Sequence, residues 1–474
     1  MAGDSDNNFT ARLVAAARRR PEHPALVWDG GALTWRELEG RAAAVAQDLE
    51  RRGVRSGDVV ALLLPNSWAF AAAVWGGLAL GATVAPLNPL LSEEERGHIL
   101  GHLGPKAVLD SVPAEAASAR PAAIVAPTAP AIVLYTSGST GKPKGVVLSH
   151  AALAVANESW AGPVMALSES DRVLAALPLQ HSFGLNGALL APLLAGATVV
   201  LQERFARVAP AALLQAITSH RVTVFPGVAT MFSRLLESPG LDEADLSTLR
   251  IAVSGAAPCP WPLAREFRRR TGVRIVRGFG MTELFRPISY LTDEPGEVPD
   301  SIGRAVPGVA VRVVDDEGRT LGADQPGELL IMSPAAMTAY LRAPEETAAV
   351  LVDGWFKTGD LATISADGFV TIVGRKRELI LRGGYSVVPG EVETALLAHP
   401  AVAEAAVVGV AHPELGEDVA AFVTLRPGAQ AEAEELIAFC RARLAAYKYP
   451  RRIAIVAEMP KSETGKILKA QLRG

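Results

Sequence analysis

Residues 135–145, with the sequence YTSGSTGKPKG, combine small hydroxylated side chains, glycines and two lysines in one short segment. Apolar runs lie on both sides of the segment, so we predict a loop between two buried strands. Hydroxyl groups and backbone N–H groups can surround a polyphosphate, and Lys142 and Lys144 add positive charge. The pattern therefore favours a polyphosphate site over a flexible glycine-rich surface loop.

Three other catalytic loops are excluded by their spacing. A Walker A loop needs Ser or Thr directly after Gly-Lys, and Pro143 stands at that position. Glu283 occupies the position of the third glycine in a GxGxxG dinucleotide fingerprint. Ser254 has alanines two residues away on each side, where the nucleophile elbow of a serine hydrolase needs glycines.

The elements around these residues alternate between short β-rich runs and Ala- and Leu-rich helical runs up to about residue 330, which predicts α/β layers. Residues 75–87 (WGGLALGATVAPL) and 190–201 (LAPLLAGATVVL) have the same predicted order of structural elements. Each has an apolar helix, a glycine that can end it in a left-handed conformation, and a buried strand. They are either repeated α/β units or a coincidence between Ala-rich helix ends.

Two changes in composition mark domain organisation. Residues 111–130 are rich in Ala and Pro and are predicted to be a surface connector. After residue 374 the pattern becomes compact, with strands predicted at 378–381, 402–410, 419–425 and 453–456, a turn at 382–384 and helices at 389–398 and 431–444. We therefore predict a large N-terminal domain of several α/β subdomains, residues 1–374, and a small mobile α+β C-terminal domain, residues 375–474.

The overall composition excludes several classes of protein. The chain has 474 residues, 49% of them hydrophobic and 20% charged, and its formal net charge of −4 predicts neither nucleic acid nor an anionic membrane as a partner. Cys259 and Cys440 cannot build a disulfide framework, so a reducing, cytoplasmic setting fits. Residues 59–92 contain no charge, but prolines and glycines interrupt them, and we predict a buried helix and core strand rather than a membrane span.

Five segments together resemble the adenylate-forming (AMP-binding) superfamily, in particular its acyl-CoA synthetase branch. The segments are YTSGSTGKPKG (135–145), GFGMTE (278–283), GWFKTGDL (354–361), GRKRELILRGGY (374–385) and PKSETGKILK (460–469). They occur in the family order and span nearly the whole chain. The resemblance implies an ATP-dependent carboxylic acid:CoA ligase that forms acyl-AMP with release of pyrophosphate. Its cofactors would be ATP, Mg²⁺ and coenzyme A, and an oligomer is compatible with the sequence.

The resemblance also implies an ATP site. The residues that would hold the β- and γ-phosphates are Thr136, Ser137, Gly138, Ser139, Thr140, Gly141 and Lys144. Those around the adenine would be Gly255, Ala256, Ala257, Gly278, Phe279 and Gly280, with Phe279 stacked on the base. Asp360 and Arg375 would bind the ribose, Glu283 would ligate Mg²⁺, and Thr282 would contact the α-phosphate.

For catalysis, the resemblance implies that Lys466 bridges the carboxylate and the α-phosphate as charge develops, with Lys461 and Lys469 as nearby rivals. His181 would gate the site between its acyl and pyrophosphate sides. In the second half-reaction, Gly383 and Gly384 would line a narrow pantetheine tunnel. The hinge position falls on Arg377, where relatives usually have Asp or Lys.

The predicted acyl pocket is largely apolar, which suits a medium or long aliphatic acid or an aryl acid. Its residues are Leu185, Val228, Met231, Arg234, Ser254, Met281 and Leu284. Arg234 lies where malonate-activating relatives bind a second carboxylate, so it either favours a dicarboxylate or is a helix-surface residue; Arg286 is a second cation nearby. The alternatives to an aliphatic or aryl acid:CoA ligase are a malonate-type ligase and an enzyme that passes the acyl group to a carrier protein or an amine.

Overall fold

The computed structural model describes residues 9–118, 123–136, 143–202, 209–294, 298–383, 385–461 and 467–472, without the side chains of Arg377 and Ser386. The chain forms two compact units. The first unit comprises Met1–Ala310 and Met332–Phe356, and the second comprises Val311–Ile331 and Lys357–Gly474. The boundary predicted between residues 374 and 375 stays a prediction.

The elements are as follows in chain order. The strands are β1 (Pro24–Trp28), β2 (Gly31–Thr34), β3 (Val59–Leu62), β4 (Thr83–Pro86), β5 (Ala107–Leu109), β6 (Pro130–Thr136), β7 (Lys144–Ser149), β8 (Arg172–Ala175), β9 (Thr198–Leu201), β10 (Val224–Gly227), β11 (Ile251–Ser254), β12 (Arg274–Val276), β13 (Gly278–Met281), β14 (Phe285–Ser289), β15 (Arg304–Ala305), β16 (Ala310–Val314), β17 (Gly327–Met332), β18 (Ala339–Tyr340), β19 (Leu351–Val352), β20 (Trp355–Ile364), β21 (Val370–Arg375), β22 (Ile380–Arg382), β23 (Tyr385–Val387), β24 (Val402–His412), β25 (Gly416–Leu425) and β26 (Arg452–Ile455). The helices are α1 (Phe9–Arg19), α2 (Trp35–Arg51), α3 (Trp68–Ala79), α4 (Glu93–Leu103), α5 (His150–Ser159), α6 (Ala191–Ala195), α7 (Pro210–Ser219), α8 (Ala229–Glu237), α9 (Trp261–Thr271), α10 (Pro344–Val350), α11 (Pro389–Leu397) and α12 (Ala433–Arg441). Two π-helical segments, Trp160–Val164 and Gly184–Leu190, follow α5 and precede α6.

The first unit contains two large sheets, with strand orders β12-β11-β10-β8-β9-β1-β2 and β18-β7-β6-β4-β3-β5, and a small sheet β13-β14-β15. Strands β8 to β12 of the first sheet pair in parallel and are almost entirely buried, as expected for a sheet that helices cover. The α8 and α9 helices pack on it through edge-to-face rings: Phe225 to Phe232 and Phe232 to Phe267 both have centroids 5.3 Å apart.

The two similar sequence segments have the same structure. In each, a helix ends at a glycine with a φ of +78°, Gly81 or Gly196, and a buried strand follows. In both, the glycine N–H and the N–H of the next alanine donate back to carbonyl groups of the last helical turn. Since β3 pairs in parallel with β4, and β8 with β9, both segments belong to β–α–β units in different sheets.

The uncharged stretch 59–92 forms β3, α3 and β4, as predicted. Nearly all of α3 is buried, with Phe70 and Trp75 at most 2% exposed. Gly76 allows α3 to approach α2 closely, because a Cβ there would lie 2.5 Å from the carbonyl oxygen of Ala42. Within the described part of the chain, no helix is long and apolar enough to cross a membrane.

The C-terminal part of the second unit has the predicted elements in the predicted order, and one further strand, β23, that the sequence did not predict. The sheet β23-β22-β25-β24, with β26 beside β25, is covered by α11 and α12 through a core that includes Leu396, Val407 and Leu436. The second helix is shorter than predicted: it begins at Ala433 because Glu432 and Glu435 form a reciprocal capping box, and it ends at Arg441. The β24 strand is longer than predicted because its hairpin with β25 continues to His412 and Gly416.

Candidate functional site

The predicted polyphosphate loop joins two antiparallel strands of the first unit. The strands β6 and β7 pair in register, and Thr136 lies opposite Lys144 at the end of the ladder. The loop itself falls outside the described residues, and with it the predicted ligands Ser137, Gly138, Ser139, Thr140 and Gly141. The expected position of the loop, between two core strands, is therefore confirmed, whereas the roles of its residues stay predictions.

The predicted metal ligand Glu283 is held by a tyrosine that sequence reasoning missed. The hydroxyl of Tyr340 donates to Oε1 of Glu283 at 2.8 Å, and the Glu283 residue is 9% exposed. Burial, followed by the Glu283 carboxylate, raises the pKa of Tyr340, so its hydroxyl keeps its proton and remains a donor. This bond uses one carboxylate oxygen and orients the other.

The same tyrosine contacts the predicted phosphate ligand Lys144. The Lys144 ammonium lies 5.1 Å from the centroid of the Tyr340 ring, a cation–π distance. It also forms an ion pair with Glu346 of α10. Lys144 and Glu283, which are far apart in the sequence, thus meet around Tyr340 within the first unit.

The residues predicted around the adenine lie at the ends of β11 and in β13. Gly278, Phe279 and Gly280 lie in β13, and a Cβ at Gly280 would lie 2.1 Å from the carbonyl oxygen of Phe285. Ala256 adopts a left-handed φ of +64°, which costs an alanine about 1 kcal/mol. Ala256 is exposed, Ala257 half-buried and Gly255 buried. Strained backbone of this kind is concentrated at binding sites.

The predicted acyl-pocket residues separate by burial. Leu185, Val228, Ser254 and Leu284 are at most 4% exposed, and Met231 and Met281 are half-buried. Arg234 is exposed, in the last turn of α8. This favours the helix-surface interpretation of Arg234, although its role in substrate binding stays a prediction.

Arg286, in contrast, is buried beside the predicted pocket. Its guanidinium donates to Ser289 Oγ at 2.9 Å, to the carbonyl oxygen of Ser254 at 2.8 Å and to that of Val276 at 3.1 Å. These bonds connect β14 with the ends of β11 and β12. Burial lowers the pKa of the Arg286 guanidinium to about 9, which leaves it charged at neutral pH.

Arg286 also forms one layer of a stack with two aromatic rings. Its guanidinium carbon lies 5.0 Å from the ring centroid of Trp160, and the rings of Trp160 and Phe183 stack at 5.4 Å and 27°. We call Phe183, Trp160 and Arg286 the aromatic stack. A Cβ at Gly187, Gly255 or Gly278 would lie within 3.0 Å of a member of this stack, so the three glycines pack closely against it.

His181 and Thr282 are both half-buried in the first unit. The backbone N–H of His181 donates to Pro178 O at 3.2 Å, and its carbonyl accepts from Leu185 N–H at 2.8 Å as the π-helical segment begins. Thr282 lies between Met281, the end of β13, and Glu283. Their catalytic roles stay predictions.

In the second unit, the two predicted ribose ligands contact each other. Arg375 Nε lies 2.8 Å from Asp360 Oδ1, and Asp360 is 2% exposed. Gly383, with a φ of +56°, forms the exposed turn between β22 and β23, and Gly384 lies outside the described residues. Arg377 lies in the 3-10 turn Lys376–Glu378. The hinge and tunnel roles are not tested by these placements.

The predicted catalytic lysine, Lys466, lies outside the described residues, but both of its rivals are described. Lys461 pairs with Glu404 at 2.6 Å. Lys469 pairs with Glu393 at 2.7 Å and with Glu378 at 3.1 Å. Both rival ammonium groups are therefore held by carboxylates of the second unit.

A metal ion at Glu283 would need further oxygen ligands from a substrate and from water. Among the described residues there is no cluster of three or more His, Cys, Asp or Glu side chains that could hold a metal. Mg²⁺ is commonly bound by one or two carboxylates together with phosphate oxygens and water, and it does not need an all-protein cage. The single oriented carboxylate of Glu283 is consistent with that mode.

Comparison with known proteins shows the family. The family model for AMP-binding enzymes matches residues 13–122 and 110–341. The family model for the C-terminal domain of AMP-binding enzymes matches residues 391–466. A feruloyl-CoA synthase of an Amycolatopsis species is 36% identical over 489 residues, with 97% of each chain covered. The crystal structure of ATP-bound MatB from Rhodopseudomonas palustris has a TM-score of 0.93 at 30% identity, covering 98% of both chains. A benzoate CoA ligase from Burkholderia xenovorans has a TM-score of 0.90 at 31% identity, covering 98% of this chain and 100% of its own.

The chain therefore belongs to the AMP-binding enzyme family. The predicted fold, an α/β protein with a large N-terminal and a small C-terminal domain, is confirmed. The predicted enzyme class, an AMP-forming carboxylic acid:CoA ligase, is the class to which these relatives belong and is confirmed as well. ATP and CoA are the cofactors consistent with that class.

Proposed function

We propose that the chain activates an aryl carboxylic acid with ATP to form acyl-AMP and pyrophosphate, and then transfers the acyl group to CoA. The observation that carries the ATP-dependent step is that Lys144 and Glu283 both contact Tyr340. The Lys144 ammonium lies 5.1 Å from the centroid of the Tyr340 ring, and Glu283 Oε1 lies 2.8 Å from the Tyr340 hydroxyl. A cation at the end of a Ser/Thr/Gly loop, with an oriented carboxylate close to it, matches what a metal-bound polyphosphate requires.

The residues of the first unit bind and orient the nucleotide in this proposal. Lys144, with the loop residues 136–141, binds the β- and γ-phosphates, and Thr282 contacts the α-phosphate. Glu283 would hold Mg²⁺, which would neutralise phosphate charge when bound. β13 and residues 255–257 bind the adenine. Asp360 and Arg375 bind the ribose. Positioning and charge neutralisation are the main requirements, because the attacking carboxylate and the polyphosphate are both anions.

Lys466 supplies positive charge as the carboxylate attacks the α-phosphate. This assignment is supported by the ion pairs of Lys461 with Glu404 and of Lys469 with Glu393, which leave the rivals neutralised within the second unit. His181 gates the acyl side. In the second half-reaction, the pantetheine of CoA passes Gly383 and Gly384. Arg377 serves as the hinge residue for the change from the adenylation half-reaction to the thioester half-reaction.

The aromatic stack favours an aryl substrate over a long aliphatic chain. The stacked rings of Trp160 and Phe183 lie against Gly187 and Gly255. Arg286 of the same stack donates to the carbonyl oxygen of Ser254, a predicted pocket residue. A rigid aromatic stack fixes the shape of the space beside it, which suits a planar ring, whereas a flexible alkyl chain loses more conformational entropy when it is confined. Feruloyl-CoA synthase and benzoate CoA ligase are among the similar proteins, and their names point in the same direction.

Arg234 is exposed, which makes the malonate-type alternative less favoured. A cytoplasmic location and an oligomeric state are compatible with the chain and stay proposals.

The test is pyrophosphate release by the purified enzyme with a panel of acids, each with and without CoA. The panel includes aryl, medium and long aliphatic, malonate-like and amino acids, and each acid is paired with its amide, which cannot attack ATP. We expect release only with aryl acids, and a CoA thioester visible by mass spectrometry. Acid-dependent release without any thioester would instead assign a carrier protein or an amine as acceptor. A preference for long-chain acids would contradict the aryl assignment.

A further inference from the structure

The segment that carries Tyr340 is fixed by backbone hydrogen bonds on two sides. The Leu341 N–H donates to the carbonyl oxygen of Gly145 at 2.7 Å, at the strand that follows the polyphosphate loop. The Met337 N–H donates to the carbonyl oxygen of Glu283, also at 2.7 Å. The backbone therefore holds the Tyr340 segment next to Gly145 and Glu283, and from there the Tyr340 side chain contacts both Lys144 and Glu283.

α10 follows directly and brings a carboxylate to Lys144. The Tyr340 N–H donates to Thr347 Oγ1 at 2.9 Å, which ties α10 to β18. Glu345 and Glu346 both lie in the first turn of α10, and Glu346 forms the ion pair with Lys144. The Lys144 and Glu346 side chains are 23% and 50% exposed, so solvent and ligands can reach the pair.

We propose that Glu346 is an internal counter-anion that binds the Lys144 ammonium in the nucleotide-free enzyme and is displaced by the polyphosphate of ATP, while Tyr340 positions the Glu283 carboxylate. This inference rests on the proposed function, because it takes Lys144 as a phosphate ligand and Glu283 as the metal ligand. A carboxylate and a phosphate both bind the Lys144 ammonium, and because the two anions repel each other at close range, binding of one weakens binding of the other.

The exchange has a consequence for product release. After adenylation, the Glu346 carboxylate can recapture the Lys144 ammonium and so oppose retention of pyrophosphate. Glu346 should therefore weaken binding of ATP and of pyrophosphate alike. It should not affect AMP, which lacks the β- and γ-phosphates.

The first experiment measures equilibrium binding of ATP, pyrophosphate and AMP to the full-length Glu346→Gln variant, without acid or CoA. We expect the Kd for ATP and for pyrophosphate to fall by about two- to fivefold, as for loss of a partly exposed ion pair, with the Kd for AMP unchanged. The matched control is Glu345→Gln, which makes the same charge change one residue away at an exposed position with no ion pair in the described part of the chain.

The second experiment separates metal-dependent binding from phosphate binding. Tyr340→Phe keeps the ring beneath Lys144 and removes the hydroxyl that orients Glu283. We expect the gain in ATP affinity on adding Mg²⁺ to shrink by about tenfold, the usual effect of losing a residue that orients a metal ligand, while the Kd measured in EDTA stays the same. Tyr290→Phe is the control for losing a buried hydroxyl, since Tyr290 donates to Val298 O at 2.9 Å in the same unit.

The outcomes distinguish this inference from the proposed function. An unchanged or higher Kd for ATP in Glu346→Gln, or an equal effect of Glu345→Gln, would overturn the counter-anion role. An unaltered Mg²⁺ gain in Tyr340→Phe would overturn the positioning role. The unmodified enzyme could bind ATP in a Lys144-dependent way and yet release no pyrophosphate with any acid of the panel. The proposed function would then be wrong, and the counter-anion role of Glu346 would still be decided by the Kd values of the Glu346→Gln and Glu345→Gln variants. If the unmodified enzyme binds no ATP, both are wrong.

Discussion

Arg375 and Asp360 are cross-strand partners, opposite each other where β20 and β21 pair, and their side chains form an ion pair at 2.8 Å. Because antiparallel partners project to the same face of the ladder, the backbone register alone brings the two side chains together. The Asp360 carboxylate is buried and oriented before any nucleotide arrives. Such preorganisation lowers the entropy cost of binding a ribose.

The first prediction concerns this pair. Arg375→Gln removes the cation that orients Asp360, and we expect the Kd for ATP and for AMP to rise by the same factor, about tenfold, because both contain the ribose. Equilibrium binding of each nucleotide measures it. Arg319→Gln is the control, since it removes an exposed arginine of the second unit that pairs with Asp315. A rise in the Kd for ATP without a rise in the Kd for AMP would show that Arg375 binds the β- or γ-phosphate instead.

The second prediction concerns Lys466. We expect Lys466→Ala to slow acyl-adenylate formation by orders of magnitude, because the charge that develops at the α-phosphate loses its cation. A preformed acyl-adenylate should still be converted to the CoA thioester. Both half-reactions are measured by single-turnover assays.

The rivals of Lys466 provide matched controls for that experiment. Lys461→Ala breaks an ion pair with Glu404 and should leave adenylation far less affected. Equal loss of both half-reactions in Lys466→Ala would contradict the catalytic role. A collapse of adenylation in Lys461→Ala would show that the wrong lysine was chosen.

The third prediction concerns the aromatic stack. Trp160→Ala removes the ring between Phe183 and Arg286, and we expect kcat/KM for aryl acids to fall by about tenfold while bulkier acids gain relative activity, because space opens and stacking is lost. Competition assays with pairs of acids measure the ratio. Trp28→Ala, in β1, is the control for loss of an indole elsewhere in the first unit. An unchanged selectivity would place the acyl pocket away from the stack.

The fourth prediction separates the two arginines near the pocket. Arg234→Ala should leave turnover of aryl acids almost untouched, since its side chain is exposed on α8. Arg286→Ala should lower the free energy of unfolding by about 3 kcal/mol, because the carbonyl oxygens of Ser254 and Val276 lose their buried donors. Thermal unfolding and steady-state kinetics measure the two effects. A selective loss of dicarboxylate turnover in Arg234→Ala would instead assign that residue to the substrate.

The sequence predicted what depends on local pattern. The loop 135–145 lies between strands β6 and β7, and the apolar stretch 59–92 forms a buried helix between strands. It could not predict contacts that only tertiary packing creates. Tyr340 has no periodic signal of its own, and it reaches Glu283 because β18 pairs with β7. The sequence assigned Arg234 to the acyl pocket and gave Arg286 only as a second cation nearby, and it could not predict that Arg286 is the buried one and Arg234 the exposed one.

The last prediction concerns His150, at the first position of α5. The residue is 0% exposed, neither ring nitrogen has a hydrogen-bond partner among the described residues, and burial lowers its pKa to about 4 from 6.5. Above about pH 6.5 the imidazole is neutral in both states and the stability is fully present. As the pH falls from 6.5 towards 4 the unfolded chain takes up the proton first, so the free energy of unfolding should fall by about 3 kcal/mol.

His150→Leu should remove this dependence of the free energy of unfolding on pH. It should also stabilise the protein near pH 7, because it replaces a buried polar ring that lacks partners among the described residues. Denaturant unfolding of both proteins at a series of pH values measures the difference, in which titrations common to the two proteins cancel. A difference that stays constant between pH 7 and pH 4 would mean that His150 is protonated, or exposed to water, in the folded enzyme.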